Sequence, residues 1–126
     1  MIIRKKSKII FRGIEIADSY SRKVKGLSGR KEMGCGGMLF IFSYQGKHGI
    51  WMPGMKFPID IVYMDDDKKV VDIKHCAKPL SLHPKTWKVF RPKQKSRYVL
   101  EVPANAALRK ISIGDILQFD IPESGE

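Results

Sequence analysis

Two carboxylates sit where a folded chain has least use for them. Asp60 lies in Pro58-Ile59-Asp60-Ile61-Val62-Tyr63-Met64, and Glu101 lies in Tyr98-Val99-Leu100-Glu101-Val102. Residues two apart on a strand share a face, so Asp60 points with Val62 and Met64, and Glu101 points with Val99. A carboxylate on an apolar face is costly unless it is paired or hydrogen-bonded. If the two acids converge, their like charges raise one pKa and create a pair able to give and take protons. Arg30 could instead neutralise either acid through a bidentate bond. The competing reading is structural, with each carboxylate tying down backbone N–H groups or an arginine. Trp51 and Met52, just before the break Pro53-Gly54, could form the wall of a ligand groove that Phe57 and Tyr63 extend; core packing is the alternative. The candidate binding residues are therefore Arg30, Trp51, Met52, Asp60 and Glu101, with no catalytic residue assigned.

Other chemistry finds less support. His75 and Cys76 are adjacent and point to opposite faces if extended, Cys35 has no close second ligand, and neither Cys-x-x-Cys nor His-Glu-x-x-His occurs. Met52-x-x-Met55 with His48 and Cys35 would suit soft Cu(I), but methionine commonly fills core gaps. No metal or cofactor is expected. A nucleophile pair of Cys76 with His48 or His83 has no spacing to recommend it. The cluster Gly34–Gly37 lacks the strand-then-helix context of a phosphate-binding loop, and there is no Gly-x-Ser-x-Gly elbow.

The elements that must hold these residues are short strands. Lys8–Phe11 and Ile14–Ile16 flank Arg12-Gly13 and read as a hairpin. Asp18 or Ser19 caps a short helix, roughly Ser19–Lys25, that Gly26 terminates. Met38–Phe42 is a continuous apolar run, expected to be covered on both faces. Strands follow at Gly49–Met52, Ile59–Met64 and Lys69–Ile73, the last two joined by the polar turn Asp65–Lys68. Residues Lys78–Arg97 hold three prolines and form an exposed loop with a short strand near Thr86–Phe90. Arg97–Val102 and Ile116–Ile121 complete the strands, and Pro103–Lys110 makes one or two helical turns. The expected fold is mostly β, a β-barrel or sandwich of about seven or eight short strands with one or two short helices.

At 126 residues the chain makes one globular domain, residues 1–126, able to bury a single core. Its longest apolar run, Met38–Phe42, falls far short of the ~18–20 residues that cross a bilayer. Arg4, Lys5, Lys6 and Lys8 interrupt the N-terminal residues, which therefore do not read as a secretory signal. With only Cys35 and Cys76, a reducing, cytoplasmic setting is expected. One asparagine and three glutamines beside abundant lysine fit a thermostable protein. The net charge is +11 and uneven. Residues 1–31 carry ten Lys/Arg against two acids, and residues 78–97 carry seven against none. Residues 98–126 carry two against five. Such basic blocks suit phosphate backbones, though they also serve as solvated faces. Trp87 and Phe90 among Lys85, Lys88 and Arg91 could stack on single-stranded nucleic acid or pin the loop to the body.

The ordered motifs Gly26-Leu27-x-x-Arg30, Gly37–Phe42, Trp51-Met52, Pro58-Ile59-Asp60-Ile61, Val70-Val71 and Tyr98-Val99-Leu100-Glu101 resemble the family catalogued as domain of unknown function 192, from about Ile14 to Phe119. The resemblance implies a β-rich fold with a short helix near its start and brings no established activity. Two positions depart from the family pattern. A basic residue, Asn and Thr commonly follow Trp-Met, where this chain has Pro53-Gly54-Met55. Many members have Gly after the final Glu-x-Pro-Ala, where this chain has Asn105.

The leading expectation is a non-enzymatic domain binding a small ligand or a protein partner. The alternative is a nucleic-acid accessory protein using its basic segments, and the third reading is an enzyme using Asp60 and Glu101 as acid and base. The oligomeric state is not legible.

Overall fold

The computed structural model describes residues 1–17, 36–51, 57–77 and 89–121, with the backbone alone at 17, 50, 51, 76, 77, 89 and 90. In chain order the strands are β1 (Ile3–Lys5), β2 (Lys8–Phe11), β3 (Ile14–Ala17), β4 (Gly37–Gly46), β5 (Ile50–Trp51), β6 (Ile59–Met64), β7 (Val70–Ala77), β8 (Val89–Phe90) and β9 (Ser96–Pro103). A five-stranded sheet has the order β3-β4-β9-β6-β7, while β1-β2 and β5-β8 form separate two-stranded ladders. Within the large sheet β3 and β4 run parallel and every other neighbouring pair is antiparallel. With β3 and β7 at its edges the sheet is not a closed barrel. The arrangement is sandwich-like, and no α-helix occurs among the described residues.

The middle strands are those whose residues least tolerate water. All six residues of β6 are buried, as are Met38, Leu39 and Phe40 of β4 and Tyr98–Val102 of β9. Strands covered on both faces read as unbroken apolar runs, and that is how β4 and β6 read. The registers Met38↔Glu101, Leu39↔Leu100, Ile61↔Glu101 and Val62↔Leu100 then assign the faces. Leu39, Val62, Met64, Tyr98, Leu100 and Val102 share one face. They pack with Ile3 and Phe11 of the β1-β2 hairpin and with Ala107, Ile111, Leu117 and Phe119 of the C-terminal segment. Tyr98 meets Phe119 edge-on, with ring centroids 5.5 Å apart. The other face carries Met38, Phe40, Ile59, Ile61, Tyr63 and Val99, all buried, together with Glu101.

Three expectations change. Lys8–Phe11 does not pair with Ile14–Ile16: β2 pairs with β1, and β3 lies parallel beside β4. The β1-β2 turn is Lys6-Ser7, both with positive φ (51° and 66°). That geometry belongs to the tight hairpin turns usually announced by Asn-Gly, so the sequence hid it within a basic run. Pro103–Lys110 is not helical. It is a string of turns, with Ala106 N–H donating to Pro103 O and Leu108 N–H to Asn105 O, broken by left-handed backbone at Asn105 (φ 69°) and Arg109 (φ 67°). The Asn105 conformation explains why glycine is at home there: glycine enters it freely, and asparagine is among the side chains that tolerate it best. Finally, Ile116–Ile121 is not a strand but makes two isolated bridges, Lys69↔Ile116 and Arg4↔Gln118. The expected helix at Ser19–Lys25 lies outside the described residues.

Candidate functional site

Asp60 and Glu101 do not meet. Asp60 pairs with Val102 and Glu101 with Ile61, so the two side chains leave adjacent strands on opposite faces of the sheet. They cannot act together on one substrate atom, and the two-acid catalytic arrangement has no geometry to support it.

Asp60 is fully buried and faces the core shared with the C-terminal turns. Its Oδ2 accepts the Ala107 N–H at 3.0 Å, and His75 Nδ1 stands 3.6 Å from the same oxygen. Through this bond the carboxylate ties the 103–111 turns to the sheet. A third buried acid does similar work and was missed. Asp72 of β7 accepts the Ile73 N–H through Oδ1, and through Oδ2 the Lys93 N–H (2.9 Å) and the Lys74 ammonium (3.1 Å). An acid inside Val70-Val71-Asp72-Ile73 carried the same signal as Asp60 and could have been found by it. The clamp has a measurable value. Asp60→Ala leaves the buried Ala107 N–H without its acceptor, and a cost of about 2–3 kcal/mol is expected in guanidinium denaturation, with a smaller loss for Asp60→Asn.

Glu101 behaves differently from both. It is 2 % exposed, yet among the described residues its carboxyl makes no hydrogen bond and no ion pair. Its neighbours in register are Met38 and Ile61, with Val99 two residues away on the same face. Burial among such groups pushes its pKa up from 4.5 to about 8. At neutral pH the side chain is therefore mostly a carboxylic acid, offering one O–H donor and one C=O acceptor. Among the described residues, the bonds of Asp60 and Asp72 tie two of the buried acids to the fold, and Glu101 makes no such bond to another described residue. A buried acid with a strongly raised pKa is the kind of group that concentrates at functional sites.

Of the other predicted site residues, Arg30 and Met52 lie outside the described residues, and Trp51 is described only as backbone in β5. Cys35, Met55, His83 and Trp87 also lie outside. Among the described residues no group of three His, Cys, Asp or Glu is placed to hold a metal ion, and no helix is long and apolar enough to cross a membrane.

Comparison with known proteins gives a consistent picture. The family model of domain of unknown function 192, described as "Uncharacterized ACR", matches residues 1–119. A UPF0127 protein of Thermococcus gammatolerans is 26% identical over 131 residues, covering 100% of this chain and 79% of the relative. One from Pyrococcus abyssi is 26% identical over 123 residues, covering 94% and 97%. These relatives come from thermophilic archaea, in keeping with the amide-poor composition. A crystal structure from Novosphingobium aromaticivorans, of a protein of unknown function, superposes with a TM-score of 0.75 at 26% identity, covering 94% of this chain and 82% of that one. Another, from Sinorhizobium meliloti and described as a candidate transcription regulator, has a TM-score of 0.70 at 29% identity, covering 83% and 79%.

Proposed function

The chain belongs to the family of domain of unknown function 192, and we propose that within it this protein is a small-ligand-binding β domain rather than a catalyst. The observation that carries this reading is Glu101, buried against Met38, Ile61 and Val99 and protonated near neutral pH. A neutral acid set among Met38, Ile61 and Val99 suits a ligand with an apolar body and one polar group that both accepts and donates, such as an amide or another acid. Trp51, Met52 and Arg30 belong to the same proposal, as groove wall and orienting cation. Asp60 does not, because it serves the other face. A cytoplasmic place of work is part of the proposal, supported by the presence of only two cysteines.

The test rests on the sign of a stability change. A side chain kept for a ligand burdens the empty fold, so Glu101→Leu should raise stability at pH 7 by about 2 kcal/mol in guanidinium denaturation. Decanamide, whose chain suits the apolar wall and whose head matches the acid, should shift the Glu101 13Cδ resonance of the wild type saturably. It should not raise the melting temperature of the Leu variant. A Glu101→Leu protein less stable than the wild type would mean that the carboxyl is satisfied structurally, and the reading would fail.

A further inference from the structure

A second feature lies on the far side of the core from Glu101. The β1-β2 hairpin and the turn at 109–110 enclose an open concavity of about 410 Å³, lined by the cations Lys5, Lys6, Lys8, Arg109 and Lys110 over a floor of Ile9 and Ile10. Arg109 and Lys110 come from the stretch 98–126, in which acids outnumber bases; folding brings them across about a hundred residues to the hairpin. The concavity is built by fixed contacts. Lys5 pairs with Asp115 at 2.8 Å and donates to Lys110 O at 3.0 Å. Lys110 Nζ donates to Ile10 O at 3.3 Å and sits 5.1 Å from the centre of the Phe11 ring. Asp115, the acid beside these cations, is already engaged by Lys5 and by the Ser112 N–H.

Among the described residues no bond holds the remaining three cations, although Lys6 acts on Asp115 through its charge. Lys6, Lys8 and Arg109 are exposed, and among the described residues their side chains make no ion pair or hydrogen bond. Lys6 and Arg109 stand on left-handed backbone, φ 51° and 67°, which few residues other than glycine adopt. Both therefore spring from turn tips instead of lying along a strand. Five cations with the single acid Asp115 beside them still repel one another, so concentrating them at one fixed concavity favours an anion that joins them.

We propose that this concavity binds the phosphodiester backbone of a nucleic acid. Three free cations with two anchored ones behind them exceed the charge of a single phosphate, whereas successive phosphates on one strand match them. The site is open and its cations stand on long side chains, and its floor of Ile9 and Ile10 accepts the apolar edge of a sugar. Contacts to phosphate alone carry no base information, so the binding is insensitive to sequence.

The experiment is a salt titration of binding to a fluorescent 20-base-pair duplex by anisotropy. Three phosphate contacts give a slope of log K against log salt of about −3. The variant Lys6→Gln/Lys8→Gln/Arg109→Gln should bring the slope close to zero and weaken binding at least ~100-fold at ~50 mM salt. The control Lys47→Gln/Lys93→Gln/Lys95→Gln removes the same formal charge from exposed lysines elsewhere and should leave the slope unchanged. Equal loss in both variants would mean diffuse attraction to the net charge and would overturn the site. So would absence of duplex binding by the wild type at ~50 mM salt. The proposal would also be overturned if inorganic pyrophosphate, or vesicles of anionic lipid, bound in a way that depends on these three residues while the duplex did not.

Discussion

Replacing Glu101 with glutamine should make the protein's stability markedly less sensitive to pH. In the folded state the Glu101 pKa is raised from 4.5 to about 8, so the native protein holds a proton that the unfolded chain releases across that interval. The contribution of this group is fully present below about pH 4.5 and is lost as pH rises towards 8. At ~1.4 kcal/mol per pKa unit, the wild type should lose about 3 kcal/mol relative to Glu101→Gln between pH 5 and pH 8. Guanidinium denaturation of both proteins at several pH values measures the difference directly. A constant difference across the range would mean that the carboxyl ionises normally and that the apolar setting of Glu101 has been misjudged. The direction is unusual for an acid. Paired carboxylates lose their contribution on acidification, whereas this one is least burdensome to the fold in acid.

The second large effect belongs to a residue with no chemistry. A Cβ at Gly36 would lie 1.8 Å from the Arg12 carbonyl oxygen, closer than a side chain can stand to a backbone, and 3.2 Å from the Gly13 carbonyl carbon. Gly36 N–H donates to Gly13 O at 3.0 Å, and this contact presses the corner after β2 against the start of β4. There β3 begins its parallel pairing, Ile14 beside Gly37. Since the obstructing atoms are backbone, relief requires the edge of the sheet to move. Gly36→Ala should therefore cost at least about 4 kcal/mol, a large share of the ~5–15 kcal/mol that holds a domain together. Gly114 supplies the contrast. It has φ 97° but nothing within 4 Å of its would-be Cβ, so Gly114→Ala should cost only about 1 kcal/mol of backbone strain. Equal midpoints for the two variants in denaturation would refute the steric account.

What could be read in advance divides along a physical line. Ile59–Met64 and the run beginning at Met38 were legible because burial on both faces leaves unbroken apolar stretches that polar turns interrupt. The same alternation singled out Asp60 and Glu101 as carboxylates in apolar settings, and both are buried. Whether they meet depends on how β6 and β9 align, and alignment is set by partners distant in sequence. The pairing of β3 was illegible for the same reason: its neighbour is β4 across a long connection, while the local turn Arg12-Gly13 suggested a hairpin. The Lys6-Ser7 turn was hidden because side chains that seldom adopt left-handed backbone occupy it. Charge counting flagged Lys5, Lys6 and Lys8 within a basic block but missed their joining with Arg109 and Lys110, which were tallied within a net-acidic stretch. Composition along a chain reports charge by position in sequence, and ligands meet charge by position in space.

The place of β9 has a bearing on how the molecule comes into being. It is the last strand among the described residues, yet it lies in the middle of the sheet, bonded to β4 on one side and β6 on the other. A ribosome delivers β3-β4 and β6-β7 first, as two ladders with no strand to join them, each presenting an unpaired apolar edge of the kind that invites association between chains. The sheet closes only when residues 96–103 emerge and insert, a step built on contacts distant in sequence and therefore slow. Until that moment the two ladders expose edges of the kind that promotes association between chains during folding. A chain interrupted before Ser96 would lose more than one strand, because the two ladders would have nothing between them.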